Sequence, residues 1–285
     1  MGKTICFYGR GIDKPYVQSF LEGFRCMGYD VIYNKPVDYS FSFVAFNGNE
    51  PKFDKVRKKA KSLGIPSLFV DLGFLRKDLS GKQYYQTCIG KLGGVLSSGG
   101  DTTRTKPFGG FRYDSFLKPD FSKGKVVILG QVPDDTQHRR SAPKLLKVYS
   151  FIVEKCIKNG ISRDRIILRT HPKAPIFDLR EAPNVRRSNG GEVPLKEDLK
   201  GACLAITLNS TAYFECIQNG VPVMASRAAF YYPYTVKSFL KPMRVKAMDL
   251  GSFISDVCYS QWTELEMRSK EHVKAIERTI NNNKL

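Results

Sequence analysis

Short runs rich in β-branched and aromatic residues alternate along this chain with runs of helical period, and glycine closes most of the helical runs. That alternation is the strongest constraint on the fold. A strand that follows an intervening helix rejoins its sheet in parallel, and the helices then cover the sheet faces. Thr4–Tyr8 reads as the first strand. Pro15 suits a first helical turn, and Val17, Phe20, Leu21 and Phe24 recur at i, i+3, i+4 and i+7. Gly28 can end that helix. Strands are expected at 30–33 and 42–46. A very basic helix follows from Asp54 to Ser62, stopping at Gly64, and Pro66 leads into a strand over 67–71. A second unit starts at Lys125 with Val126–Leu129. It continues with a helix over about 144–158, a strand over 165–168, a strand over 204–208, a helix over 212–218 and a strand over 221–225. Residues 80–124 show no period and read as a functional loop or linker. A last helix, about 261–280, carries Trp262, Leu265, Val273, Ile276 and Ile280 on one side. The expected organisation is α/β in two units, 1–120 and 121–260, with 261–285 able to cross back to the first.

At 285 residues the chain is long enough for two such units, and a hydrophobic content of 42% can fill their cores. No apolar run reaches the ~18–20 residues that span a bilayer. The start leads into a strand with no signal-peptide core, and Cys6 breaks the myristoylation pattern after Gly2. The expectation is a soluble, cytoplasmic monomer without a membrane anchor. The seven cysteines are scattered singly, so buried free thiols are expected and no zinc site is supported. The net charge is +19, and it is spread: residues 1–120 carry 19 Lys and Arg against 11 Asp and Glu, and residues 121–285 carry 27 against 16. Both units can therefore face one polyanion, with nucleic acid or a charged surface polymer as candidates.

Five segments carry candidate chemistry. After the strand over 204–208, Ser210 and Thr211 open a helix that places Glu215 one turn in. Hydroxyls and free N–H groups at a helix start favour a phosphate, and a carboxylate one turn on can accept ribose hydroxyls. Arg169, His171 and Lys173 cluster at another strand tip and can supply positive charge to the same phosphates. Gly130 allows close backbone approach, and Gln131 offers both donor and acceptor to a base or sugar; nearby Asp134 or Asp135 can equally be a plain cap. Gly9 and Gly11 follow the first strand and either line a cleft or form a ligand-free turn; Lys14 breaks the dinucleotide fingerprint, which argues against an NAD site. Asp71, at the end of its strand, either deprotonates an acceptor hydroxyl or forms a turn, and Arg76 either pairs with it or holds a phosphate.

In this order, Gly73-Phe74-Leu75-Arg76 after an acidic strand end, Gly130-Gln131-x-x-Asp134-Asp135, His171-Pro172, and Ser210-Thr211-x-x-x-Glu215 before Gly220-Val221-Pro222-Val223 resemble the capsule polysaccharide Kdo-transferase type of GT-B glycosyltransferase. The spacing is also similar to that of small phage glycosyltransferases. The resemblance, over roughly residues 65–225, implies two Rossmann-like domains with parallel sheets facing a central cleft. It implies a nucleotide-sugar donor, a UDP-sugar in the first instance, with His171 and Ser210-Thr211 on the diphosphate and Glu215 on the ribose. No tightly bound metal or other cofactor is implied. The chain departs from the capsule type in being short and strongly basic. That charge directs the expected acceptor toward double-stranded DNA, as a hydroxymethylated pyrimidine flipped from the stack. Asp71 is the first candidate base, with Asp13 and Asp101 behind it. A polysaccharide or glycolipid acceptor, and a non-enzymatic nucleic-acid-binding protein, are the competing expectations.

Overall fold

The structure is a computed structural model that describes residues 3–9, 11–48, 50–111, 120–135, 140–174, 183–239 and 247–282. Its strands and helices run, in chain order, β1 (Thr4–Tyr8), α1 (Pro15–Cys26), β2 (Asp30–Tyr33), β3 (Phe43–Asn47), α2 (Asp54–Ser62), β4 (Ser67–Lys77) and β5 (Gln83–Ile89). There follow β6 (Lys125–Leu129), α3 (Ala142–Lys158), β7 (Ile166–Arg169), β8 (Arg186–Ser188), α4 (Leu195–Leu199), β9 (Ala202–Thr207), α5 (Ala212–Gln218) and β10 (Val223–Ala225). The chain closes with α6 (Ala247–Tyr259), β11 (Gln261–Trp262), α7 (Glu264–Met267) and α8 (Lys270–Asn282). Two compact units result: residues 1–110 together with 251–285, and residues 111–250.

The first unit holds a six-stranded sheet in the order β11-β5-β4-β3-β1-β2. β2, β1, β3 and β4 are parallel, with Cys6 opposite Ile32 and Val44, and Ala45 opposite Leu68. β5 and β11 run antiparallel. The core lies between this sheet and α1, α7 and α8, where Phe7, Phe20, Phe24, Val273 and Ile276 are fully buried. The anticipated long C-terminal helix is instead β11, α7 and α8. Thr263 and Glu266 form a capping box at the start of α7, so the chain pairs with β5 before it turns helical. Gly23 explains how closely α1 and α7 meet, because a Cβ there would lie 2.2 Å from the Met267 carbonyl oxygen.

Two further differences follow from pairing rather than local pattern. β4 does not end at Asp71. It pairs with β3 through Val70, then continues beside β5 past an irregularity between Leu72 and Lys77. The stretch read as aperiodic, 80–124, contributes β5, whose residues alternate poorly because Tyr84, Gln86, Thr87 and Cys88 are all buried. Of the seven free cysteines five are buried, in line with the expectation, while Cys26 is exposed and Cys203 half-buried.

The second unit holds a fully parallel sheet in the order β10-β9-β6-β7-β8. Numbered within the unit, this is 5-4-1-2-3: the chain adds β7 and β8 on one side of β6, then reverses to add β9 and β10 on the other. The reversal places a switch point between β6 and β9, where carboxyl-end turns diverge and open-sheet proteins bind ligands. Val126–Ile128 are fully buried in the centre of the sheet.

Candidate functional site

The carboxyl ends of β6 and β9 are joined by side chains. Gln131, 6% exposed, donates from Nε2 to Thr207 Oγ1 at 3.1 Å, and its backbone N–H donates to the Tyr149 hydroxyl at 2.8 Å. Thr207 Oγ1 also accepts the Ser210 N–H at 3.2 Å. On the far side of the turn, the Tyr231 hydroxyl donates to the Ser210 carbonyl oxygen at 2.7 Å, and its ring stacks on Tyr213 at 4.1 Å. Burial pushes the Tyr149 hydroxyl up to about 12 and raises those of Tyr213 and Tyr231 well above the ordinary value, so all three stay neutral. The turn before α5 is thus gripped on both sides. Gln131 therefore holds this turn through its amide, a part the sequence did not disclose because its partner lies seventy-six residues away.

The start of α5 differs from expectation. The N–H groups of Ala212, Tyr213 and Phe214 are satisfied by Ser210 Oγ (3.2 Å), the Ser210 carbonyl (3.2 Å) and the Thr211 carbonyl (3.1 Å). The Thr211 side chain caps none of them. A ligand would therefore meet hydroxyls here rather than free amides. Glu215 follows one turn on, at a solvent-accessible position. Its carboxyl pKa is raised, because desolvation outweighs the attraction of Arg169 and of Lys196 on α4. A raised carboxylate pKa costs stability once the pH exceeds the ordinary value, and the cost is complete above the folded value. Glu215→Gln is therefore expected to raise the melting temperature at neutral pH, with the gain fading as the pH falls toward the ordinary glutamate range. A denaturation series against pH checks this.

At the tip of β7, Arg169 is 6% exposed and its guanidinium is paired within the protein. Nη1 meets Asp198 Oδ2 at 2.5 Å, Nη2 reaches the Gly190 carbonyl at 3.3 Å, and the Ser188 hydroxyl donates to the same Asp198 oxygen at 2.6 Å. The side chain expected to supply charge to a phosphate thus ties β7 to β8 and α4. Gly130 serves the same junction. Its N–H donates to the Arg169 carbonyl at 2.7 Å, and a Cβ there would lie 2.7 Å from that oxygen. Gly190 is tighter still, with a Cβ position 2.1 Å from the Thr170 carbonyl oxygen. Gly190→Ala must displace backbone, and a loss of about 1–3 kcal/mol in unfolding free energy is expected, measurable by urea denaturation. His171 is half-buried and accepts the Lys173 N–H at Nδ1 (3.0 Å), so the neutral ring carries its proton on Nε2. Lys173 is exposed. Asp134 is exposed in a left-handed turn (φ 58°) whose N–H donates to the Arg140 carbonyl.

The remaining candidates belong to the first unit. Asp71 lies where the pairing of β3 with β4 ends, opposite Gln86 of β5. Its Oδ1 accepts the Leu72 N–H at 2.8 Å, and its Oδ2 approaches Gly48, the residue after β3. Tyr16 of α1 donates to Asn47 Oδ1 at 2.9 Å and is stacked on Tyr85 at 4.5 Å. Burial, with the negative charge of Asp71 beside it, pushes the Tyr16 hydroxyl up to about 12. Asp71, Asn47 and Tyr16 thus form one polar group at the carboxyl edge of the sheet. Asn47 and Tyr16 were missed; the Asn47-Gly48 pair ending a strand was the available signal. Gly9 packs beside Phe7 and Asn47, and Gly11 turns at φ +89°.

Three further candidates in this unit are exposed. Asp101 is exposed and accepts both the N–H and the hydroxyl of Thr103, at 2.8 and 2.7 Å, which holds its carboxyl below the usual range. It is a turn former and a poor base. Asp13 is exposed in the turn before α1. Arg76 is exposed on the continuation of β4, within the irregular stretch between Leu72 and Lys77.

No family model matches the sequence, and no curated protein matches it either. Among solved structures, the fold is similar to that of Thermosulfurimonas dismutans KpsC, beta Kdo 2,4 transferase, with a TM-score of 0.56 and 18% identity over 90% of each chain. It is also similar to Thermosulfurimonas dismutans KpsC, beta Kdo 2,7 transferase, with a TM-score of 0.53 and 13% identity over 90% of each chain. At these identities the likeness is one of fold. Among the described residues no helix is long and apolar enough to cross a membrane.

Proposed function

We propose that the protein is a glycosyltransferase that moves a sugar from a nucleotide-linked donor, a UDP-sugar in the first instance, onto a hydroxyl acceptor. The observation that carries this reading is the switch point of the second unit. There Gln131 and Tyr231 brace the Ser210-Thr211 turn, and Glu215 lies one turn beyond, under the influence of Lys196. Fold likeness to two Kdo transferases over 90% of the chain supports it.

In this reading the second unit binds the donor. The Ser210 and Thr211 hydroxyls, with His171 and Lys173, take the diphosphate, and the Glu215 carboxylate accepts the ribose hydroxyls. Arg169 acts only by holding the β7 tip in place. Asp71 takes the proton of the acceptor hydroxyl as its oxygen bonds to the anomeric carbon. The bond from that carbon to the phosphate oxygen breaks, and the nucleoside diphosphate leaves.

For the acceptor, the Kdo-transferase fold favours a glycan hydroxyl, and the +19 charge suits one on an acidic polymer. Hydroxymethylated DNA is the second reading, and charge alone favours it. A panel of nucleotide sugars, offered with an acidic oligosaccharide and with duplex DNA containing hydroxymethylcytosine or hydroxymethyluracil, separates the two by mass spectrometry. A sugar mass gained by the oligosaccharide supports the first, and one gained by the nucleoside supports the second. Absence of both donor hydrolysis and transfer with every pair would refute the enzyme.

A further inference from the structure

At the amino end of β4, opposite the edge that carries Asp71, the first unit contains a pocket of about 580 Å³. One wall is α2. The residues that helix presents to the pocket are Asp54, Arg57, Lys58 and Lys61, the i, i+3, i+4, i+7 stripe that ordinarily faces the core and is apolar. Here it is charged, and Ala60 is the only buried residue of α2. The facing wall is Ile65 and Pro66, leading into β4. Gly64 and Gly90 also line the pocket, and a Cβ added to either meets no atom within 4 Å, so the space beside them is open.

The stripe carries three cations and one carboxylate. Asp54 is engaged with Arg57, whose Nη2 also donates to the Glu50 carbonyl at 3.0 Å. Arg57 Nη1 is buried and finds no hydrogen-bond partner among the described residues, and its guanidinium lies over the Phe46 ring, 5.5 Å from the centroid. An unpartnered buried donor is costly, and an anion held beside this guanidinium by the neighbouring lysines would lower that cost through its charge. Helix pairing accounts for Asp54 with Arg57, and the helix dipole for a cation in the last turn. Neither accounts for cations lining an open cavity with an apolar opposite wall.

We propose that this pocket binds a phosphorylated ligand with an apolar body, its phosphate on Arg57, Lys58 and Lys61 and its body on Ile65 and Pro66. The phosphate can belong to a free metabolite or to a lipid headgroup. The test uses the full chain with phenyl phosphate in calorimetry, and with phosphatidylglycerol vesicles against phosphatidylcholine vesicles in co-sedimentation. Lys58→Gln/Lys61→Gln is compared with Lys55→Gln/Lys59→Gln, whose side chains do not line the pocket. All four lysines are exposed, so both variants are expected to fold, and both lose the same net charge. The expected result is binding that weakens by about tenfold in the first variant and stays within about twofold in the second. Binding of phenyl phosphate assigns a free ligand, and binding of phosphatidylglycerol vesicles alone, with the same variant dependence, assigns a headgroup. Equal weakening in the two variants would show diffuse attraction and overturn the site. So would no binding of either probe, with phenyl phosphate taken to about 10 mM.

Discussion

Asp71→Asn is expected to lower kcat for sugar transfer by about 10²–10⁴-fold while leaving donor affinity within about twofold. The substitution keeps the shape of the side chain and its capacity to accept the Leu72 N–H, but removes the basic oxygen. Asp71 is the candidate carboxylate at the parallel carboxyl edge of its sheet, next to Asn47 and Tyr16, with Gly48 close to its second oxygen. Asp101→Asn serves as the control. That carboxylate is held ionised by Thr103 and is spent on a turn, so its loss is expected to leave kcat unchanged. Steady-state kinetics with a saturating donor read both. An unchanged kcat in Asp71→Asn would remove it as the base, whatever the acceptor proves to be.

The second large effect concerns stability. Arg169→Met and Asp198→Leu are each expected to cost about 3–5 kcal/mol, because each leaves a buried charge without its partner. The double variant replaces the pair by apolar groups of similar size and is expected to recover most of the loss. The remainder comes from the Ser188 hydroxyl, which loses its acceptor. Urea denaturation gives the cycle. Donor affinity in the double variant then decides the role of the arginine. If it stays within about threefold of the parent, Arg169 is a structural tie. A loss near a hundredfold would mean that it reaches the phosphates after all, against its present burial.

Much of the architecture was legible in local pattern. The apolar stripe Val17, Phe20, Leu21, Phe24 with Pro15 ahead of it marked α1, and the structure gives Pro15–Cys26. The strand at Val126–Leu129 and the helix at 212–218 likewise declare themselves, because each combines a clear period with a glycine or hydroxyl boundary. β5 and the tail of β4 did not. Their residues are fixed by each other across an antiparallel pair, and a strand buried on both faces loses the alternation that identifies it. The split of the last helix into β11, α7 and α8 follows the same logic, since Gln261 and Trp262 take strand geometry only because Gln86 and Tyr85 lie opposite.

For the candidate site the division is sharper. The residue types at strand ends, Gly130-Gln131, Arg169, Ser210-Thr211 and Asp71, mark the carboxyl edges from sequence alone, because βα order alone dictates which turns share an edge. Which of those side chains remain available to a ligand is a tertiary matter. Arg169 and Asp198 are twenty-nine residues apart, and only the hydrogen bonds from Asp198 of α4 to Arg169 and Ser188 reveal that the arginine is already paired. Gln131 is held by Thr207 and Tyr149, and the amides of α5 by Ser210 and Thr211, so apparent ligand groups are structural ones. The same packing exposes what a one-dimensional reading passed over as a merely basic helix: α2 turns its cations toward a cavity. Sequence determines where polar groups gather, through the period and order of elements. Burial and partner geometry decide which of them are left to do chemistry, because a hydrogen-bonding group satisfied by the protein has little left to offer a ligand.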